Sequence, residues 1–148
     1  VLNSIDAILQ KLYTIPSVAD EGYSILLQSG KLRFRLTDYN SPTQRALDIT
    51  TTSIITTNTW YHFVVTKSTS TDVSGAVIYR NGVPQSTTTD FNTLTGTTTN
   101  TEPFKIGFWG NTSDYFQGNL DEITMWKVQL SQQDVTQIYN TTKHKYGL

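Results

Sequence analysis

Apolar and polar residues alternate with a period of two along most of this chain, and helical spacing occurs in one segment only. The clearest run is Lys31 to Leu36, in which Leu32, Phe34 and Leu36 share one face of a strand and three basic residues share the other. Because a period of two is typical of strands with one buried face, the chain is predicted to be all-β, with neighbouring strands antiparallel.

Turn signals divide these runs into hairpins. Gln28-Ser29-Gly30 precedes the run described above, and Asn81-Gly82 separates two later runs. Asn-Gly is a strong hairpin signal because both residues tolerate positive φ angles. Further strands are predicted at Ile5 to Leu12, Gly22 to Leu27, Trp60 to Thr66, Gly75 to Arg80 and Val83 to Thr87.

Two segments indicate how the layers are arranged. Trp60 to Thr66 carries apolar residues on both faces, which predicts a strand in the middle of a sandwich that is covered on both sides. Thr87 to Thr101 is polar and has few large apolar groups, which predicts a long loop at one end of the sandwich.

The part from Phe104 to Tyr139 predicts a strand, a polar turn, a second strand and a closing helix. Ser131 is a favourable N-cap residue, and Asp134 places a carboxylate in the first helical turn. The predicted buried stripe of the helix consists of Val135, Ile138 and Tyr139.

Length and composition restrict the function classes. With 148 residues and a hydrophobic fraction of 36%, the chain is predicted to form one domain, residues 1–148, around one core. A net charge of −1 gives no field that would attract nucleic acid, and no apolar run is long enough to span a membrane. Neither nucleic-acid binding nor membrane insertion is therefore expected. The lack of cysteine excludes disulfides and thiolate metal sites.

An ordered set of motifs runs from Trp60 to Tyr139. Its residues are Trp60, His62, Val64, Thr66, Tyr79, Asn81, Gly82, Ile106, Gly107, Phe116, Gly118, Leu120, Asp121, Glu122, Ile123, Trp126, Leu130, Ser131, Ile138 and Tyr139. In order and rough spacing this set resembles the laminin-G-like jelly rolls of the concanavalin A-like lectin/glucanase group. Those domains carry W-H-H-V-A-V-T, Y-x-N-G, I-G, F-x-G-x-I-D-E-V-x-I-W and L-S-x-x-E-I-x-x-L-Y.

The resemblance implies an antiparallel β-sandwich jelly roll of the concanavalin A-like type with a short carboxy-terminal helix. Members of the family open with further strands before the one that Ile8 to Lys11 resembles. The first family strands are therefore expected to be missing here, and the chain is expected to be part of a larger protein. A bare edge would expose unpaired backbone groups, so we expect something to cover it.

By resemblance, the expected function is non-catalytic binding outside the cell, either carbohydrate recognition or adhesion. The partner would be a glycan or a cell-surface polysaccharide. The alternative is a structural or assembly module on a virion, phage particle or surface filament, whose partners would be neighbouring protein subunits. Both interpretations place the chain at an extracellular, cell or virion surface, and the oligomeric state distinguishes them.

The carboxylate pair Asp121-Glu122 does not fit a glycosidase. Related glucanases carry a Glu-x-Asp-x-x-Glu-like strand, whereas Asn119 and Met125 stand at the flanking acidic positions here. Adjacent strand residues point to opposite faces, and hydrolysis by paired carboxylates needs them roughly 5–10 Å apart across the bond. The chain is therefore not expected to be an enzyme.

The same resemblance implies that Asp121 and Asn119 are ligands of a structural Ca²⁺ ion. Calcium takes roughly six to eight oxygen ligands, and part of the family's shell comes from the missing amino-terminal segment. The alternative is that Asp121 accepts hydrogen bonds from backbone N–H groups of its own turn.

The segment from Phe108 to Tyr115 is predicted to bind the ligand. Its ligand-binding candidates are Trp109, Asn111, Asp114 and Tyr115. An aromatic ring can stack on the apolar face of a pyranose, while short polar side chains orient its hydroxyls. The alternative is that Trp109 packs over the sandwich edge and Tyr115 covers the core.

The row Lys31, Arg33 and Arg35 has two interpretations. It could hold an anionic polysaccharide or sulfate, but a solvated outer strand face balanced by Asp38 is favoured.

Neither histidine supports a catalytic triad or a zinc site, and His62 is predicted to be buried and hydrogen-bonded, whereas His144 lies in the tail. Asn111-Thr112-Ser113 and Asn140-Thr141-Thr142 match the N-glycosylation pattern, which matters only in a secreting eukaryote.

Overall fold

The computed structural model describes residues 5–15, 19–40, 43–109 and 114–148. Its strands form a six-stranded sheet, a three-stranded sheet and a two-stranded hairpin. The strands are β1 (Ile5–Ile15), β2 (Ala19–Gln28), β3 (Lys31–Asn40), β4 (Thr43–Thr51), β5 (Phe63–Lys67), β6 (Ala76–Arg80), β7 (Val83–Pro84), β8 (Thr87–Asn92), β9 (Lys105–Ile106), β10 (Phe108–Trp109) and β11 (Asp114–Tyr115). The helix α1 (Gln132–Thr142) is followed by a 3₁₀ turn, Lys143–Tyr146. The predicted antiparallel β-sandwich with a short carboxy-terminal helix is confirmed.

The larger sheet has the strand order β8-β4-β3-β2-β1-β9. Ser29 and Gly30 have φ angles of 52° and 75°, so the β2–β3 connection is the tight hairpin turn that the sequence predicts. Cross-strand pairing places Phe34 opposite Ile25 on one side and Ile49 on the other. This register puts the core side chains of the sheet on one face: Leu27, Leu32, Phe34, Leu47 and Ile49.

The smaller sheet, in the order β5-β6-β7, contributes to the same core. Its β6–β7 turn is Asn81-Gly82, with φ angles of 52° and 77°, as predicted. The buried core residues are Leu27, Leu32, Phe34, Leu47, Ile49, Ile78 and Leu94. The core therefore lies between the two sheets, as in a sandwich.

Strand β5 is covered on both faces, as predicted. Its Phe63 and Val65 pack against the inter-sheet core, whereas Val64 packs with Tyr79 and with Val135 of α1. The predicted start of this strand was wrong, because the strand begins at Phe63 and not at Trp60.

The helix begins as predicted. Ser131 and Asp134 form a reciprocal capping box, in which each side chain accepts a hydrogen bond from the other residue's backbone N–H. Of the predicted stripe, Val135 is fully buried, whereas Ile138 and Tyr139 are half-buried. The helix is therefore attached to the smaller sheet mainly through Val135.

The prediction of a loop from Thr87 to Thr101 was wrong for its first part. Residues Thr87–Asn92 form β8, which pairs with β4 at the edge of the larger sheet. All six side chains of β8 are exposed. An edge strand is held by backbone hydrogen bonds to its neighbour and needs no apolar face, so its sequence carries no period of two.

The predicted second strand of the carboxy-terminal part is also corrected. Only Asp114–Tyr115 is a strand, β11, and residues 116–131 are not paired in a sheet within the described structure. Of this segment, only Phe116 N donates a backbone hydrogen bond to another described element, to the carbonyl of Gly107. Side-chain pattern alone cannot make a strand, because a strand also needs a neighbour for its backbone groups.

Strand β1 pairs with β2 along its length and with β9 at Leu9 and Gln10. The free edge of β1, which was expected to need a cover, is therefore paired with β9 at these two residues. No helix among the described residues is long and apolar enough to cross a membrane.

Candidate functional site

The β10–β11 hairpin carries the residues predicted to bind the ligand. Phe108 pairs with Tyr115 and Trp109 with Asp114 in an antiparallel register, so the ends of the predicted segment are brought together. The tip, which includes Asn111, lies outside the described residues, as does the side chain of Asp114. The hairpin adjoins β1, because Gly107 N donates to the carbonyl of Ile8.

Tyr115 is the exposed aromatic group of this hairpin. Its residue exposes 58% of its surface, and its ring centroid lies 5.2 Å from that of the half-buried Phe108. Lys105 Nζ lies 5.5 Å from the Phe108 ring centroid. An exposed aromatic ring of this kind suits stacking on a sugar.

Trp109 is half-buried and takes part in other contacts of the fold. Tyr115 is therefore the more exposed of the two aromatic candidates, and ligand binding by either ring stays a prediction. The outcome for Asn111 and Asp114 as hydrogen-bonding groups stays a prediction, since their side chains are not described.

The carboxylate of Asp121 accepts two hydrogen bonds. Its Oδ1 accepts from the backbone N–H of Glu122 at 2.8 Å, and its Oδ2 accepts from the hydroxyl of Tyr146 at 2.8 Å. The Tyr146 hydrogen bond is the main cause of a lowered Asp121 pKa, and it raises the pKa of Tyr146 to about 12.

These contacts bear on the implied calcium site. Both Asp121 oxygens already accept hydrogen bonds, and the described residues contain no cluster of three or more acidic or histidine side chains that could hold a metal. Asp121 and Asn119 supply only part of a shell of roughly six to eight oxygens, so the described residues do not form a complete site. Calcium ligation by this pair stays a prediction.

His62 was predicted to be buried and hydrogen-bonded, and it is only partly so. It is half-buried, its ring packs at 5.7 Å between centroids against Tyr139, and its Nδ1 has no hydrogen-bond partner. Burial is the main cause of its lowered pKa, so the neutral form is favoured. His144 is exposed in the last 3₁₀ turn, and of the two glycosylation motifs only Asn140-Thr141-Thr142 lies in the described structure, on α1.

The prediction of a solvated basic row on β3 was wrong. The side chains of Arg33 and Arg35 are only 18% and 16% exposed, because both guanidinium groups lie against the fully buried carboxylate of Asp48. Asp48 stands opposite Arg35 on β4, a pairing that depends on strand register. The sequence contained no sign of it, since the two residues lie far apart in the chain.

Asp38, the residue expected to balance the row, is buried on the opposite face. Its Oδ2 accepts hydrogen bonds from the backbone N–H groups of Thr95, at 2.9 Å, and Gly96. It therefore holds the loop that follows β8 and does not neutralise Arg33 or Arg35.

A second surface feature is the unpaired segment 116–131. It exposes several large apolar side chains: Ile123, Met125, Trp126 and Val128. Apolar groups of this size clustered in one stretch are a feature of protein contact surfaces. The sequence signal for this surface is the group of large apolar residues between Ile123 and Val128.

Comparison with known proteins identifies the family. A laminin-G-like family model, described as the concanavalin A-like lectin/glucanases superfamily, matches residues 5–136. Among solved structures, an S-layer domain-containing protein from Clostridium thermocellum is similar, with 21% sequence identity and a TM-score of 0.45. The similarity covers 89% of this chain and 64% of that chain. No curated protein matches the sequence.

Proposed function

The chain belongs to the concanavalin A-like lectin/glucanases superfamily, and we propose that it is a non-catalytic carbohydrate-recognition or adhesion module that acts at a cell or particle surface. The partner is a glycan or a surface polysaccharide. The observation that supports this proposal most directly is the exposed ring of Tyr115 on the β10–β11 hairpin.

The geometry at Tyr115 suits a sugar ring. The Phe108 ring packs beside that of Tyr115, with centroids 5.2 Å apart and planes inclined at 40°, and the two residues stand opposite each other on the paired strands. The sequence between the two strands of the hairpin, Gly110 to Ser113, is rich in short polar residues, which suit hydrogen bonding to sugar hydroxyls. Trp109 forms part of the hairpin that holds the stacking ring.

The carboxylates support a binding role over hydrolysis. A glycosidase needs a general acid with a raised pKa, but hydrogen bonding to Tyr146 lowers the pKa of Asp121. The neighbouring Glu122 forms an ion pair with Lys145. Both groups are thus engaged in tying the carboxy-terminal 3₁₀ turn to the chain.

A shallow site with one stacking ring binds weakly. Such modules gain strength by avidity when several copies act together, which suits adhesion. Free saccharides should therefore bind in the millimolar to micromolar range, about −4 to −8 kcal/mol.

A glycan array probed with the purified chain, once with Ca²⁺ and once with EDTA, tests the proposal. We expect selective binding that Tyr115→Ala abolishes and that the matched control Val83→Ala, an exposed apolar residue on β7, leaves intact. Binding that EDTA removes would add calcium to the mechanism. If the folded wild-type chain binds no glycan in either arm, the proposal is wrong.

A second candidate is an assembly module on a virion, phage particle or surface filament. The unpaired segment 116–131, with its exposed Met125, Trp126 and Val128, favours this alternative. Its backbone groups and apolar side chains could be covered by an added strand from a neighbouring subunit.

Sedimentation velocity over a range of concentrations tests this second candidate. An assembly module should self-associate or bind its subunit partner, and Met125→Lys with Val128→Lys should abolish the association. The matched control is Ile54→Lys, an exposed apolar position outside the segment. A strictly monomeric chain that binds glycans contradicts the assembly module.

A further inference from the structure

A groove of about 490 Å³ lies on the face of the larger sheet that points away from the core. It crosses β2, β3, β4 and β8, at the sheet edge opposite to the β10–β11 hairpin. Its lining residues are Gln28, Ser29, Lys31, Arg33, Thr50, Thr88, Asp90 and Phe91. The groove is shallow and open to solvent, and its lining combines an aromatic ring with groups of both charges.

Arg33 is held rigidly in the floor of this groove. Its Nε and Nη2 donate to the two oxygens of Asp48 at 2.8 and 2.5 Å, and its Nη1 donates to Oε1 of Gln28 at 2.7 Å. A guanidinium fixed by a bidentate carboxylate and an amide loses little freedom when it binds a further group. Its remaining N–H donors are positioned for a ligand in advance.

A β-bulge builds the opposite wall. The β4–β8 register shifts between Asp48 and Ile49, so β8 has one extra residue, Asp90, between the positions paired to them. With the bulge, the consecutive residues Asp90 and Phe91 both line the wall of the groove. Thr50 Oγ1 donates to Asp90 Oδ2 at 2.7 Å. Phe91 is 49% exposed, so its ring is open to a ligand.

The local charge is positive although the chain carries −1 overall. Among the described residues in and beside the groove, Lys31, Arg33 and Arg35 face Asp48 and Asp90. Asp48 is fully buried between the two arginines and out of reach of a ligand. The charge that a ligand meets is therefore that of Lys31 and Arg33 on one side and Asp90 on the other.

We propose that this groove binds an acidic saccharide, a chain of pyranose rings bearing carboxylates. One ring stacks on Phe91, a carboxylate of the ligand pairs with Arg33 and Lys31, and Asp90 accepts hydrogen bonds from ring hydroxyls. This inference rests on the proposed carbohydrate-binding function and assigns it a second subsite and a ligand class.

The aromatic ring of the groove, Phe91, and Tyr115 lie towards opposite edges of the larger sheet. Phe91 lies on the edge strand β8, and the hairpin of Tyr115 adjoins β1, so four strand spacings, roughly 19 Å in all, lie between β8 and the strand that the hairpin adjoins. Phe91→Ala and Tyr115→Ala therefore test the two sites separately.

Isothermal titration calorimetry with an oligogalacturonate, against a neutral galactose oligomer of equal length, tests the groove. We expect tighter binding of the acidic oligomer, weakened by added salt because exposed charges are screened. Phe91→Ala should weaken it about tenfold and Lys31→Gln about fivefold. Val83→Ala is the matched control, and thermal melts establish that every variant is folded.

The possible outcomes separate this inference from the proposed function. If the acidic oligomer binds no tighter than the neutral one, or if Tyr115→Ala alone removes its binding, the groove is not its site. In either case Tyr115-dependent binding of glycans on the array would still support the proposed function. If no saccharide binds the folded chain, both proposals fail.

Discussion

The hydroxyl of Tyr146 donates a hydrogen bond to Oδ2 of Asp121 at 2.8 Å and so connects the last 3₁₀ turn to the segment before α1. Lys145, the neighbour of Tyr146 in the chain, forms an ion pair with Glu122, the neighbour of Asp121. Segment 116–131 has almost no backbone pairing to other described elements, so these side-chain contacts hold it in place.

The first prediction concerns the pH range of this contact. The hydrogen bond raises the pKa of Tyr146 from 10.0 to about 12 and lowers that of Asp121 from 3.8. Its stabilisation is complete below pH 10 and is lost as the pH rises towards 12. On the acid side it is complete above pH 3.8 and is lost as the pH falls through the lowered pKa of Asp121.

Ultraviolet absorbance titration measures the effect. The difference between wild type and Tyr146→Phe should show one phenol ionising near pH 12, and Asp121→Asn should shift that phenol towards pH 10. A difference curve centred at pH 10 in the wild type would mean that the contact does not form in solution.

The second prediction concerns calcium. If Asp121 and Asn119 ligate Ca²⁺, as the family resemblance implies, Ca²⁺ raises the Tm of the wild type, EDTA reverses the rise, and Asp121→Asn removes it. Asp72→Asn, which alters an exposed carboxylate in another turn, should leave the rise intact. Equal melting curves with Ca²⁺ and EDTA would contradict a calcium site.

The third prediction concerns Asp48. Replacing it with alanine leaves Arg33 and Arg35 half-buried and close together without their shared carboxylate. The free energy of unfolding in urea should fall by about 3–5 kcal/mol. Asp90→Asn on the neighbouring strand, an exposed position, is the control and should change it by less than about 1 kcal/mol. A small loss for Asp48→Ala would show that the arginines find other partners.

The fourth prediction concerns the start of α1. Ser131→Ala removes one half of the capping box and should lower the free energy of unfolding by about 1 kcal/mol. Gln133→Ala, at an exposed position inside the same helix, should be neutral or slightly stabilising. Equal effects of the two substitutions, measured by thermal denaturation, would assign the loss to helix propensity and not to the cap.

Much of the fold could be predicted because its signals are local. The alternation around Phe34, the Asn81-Gly82 turn and the Ser131 cap each depend on a few consecutive residues, and each is found where it was predicted. Strand β8 was missed because an edge strand is held by backbone hydrogen bonds to β4, and these need no side-chain pattern.

The site was predictable only in part, for the same reason. The aromatic and polar composition of the β10–β11 hairpin is visible in the sequence, but the exposure of Tyr115 and its packing beside Phe108 depend on the tertiary structure. The burial of Arg33 could not be foreseen, since its partner Asp48 comes from the next strand.

The sequence by itself determined the strands with one buried face, the tight turns, the capped helix and the family to which the chain belongs. Tertiary structure decided which distant residues meet: Asp48 with Arg33 and Arg35, Asp90 with Thr50, and Tyr146 with Asp121. The physical reason is that turns, caps and periodicity depend on nearby residues, whereas charge pairing and burial depend on strand register and packing, which bring distant residues together.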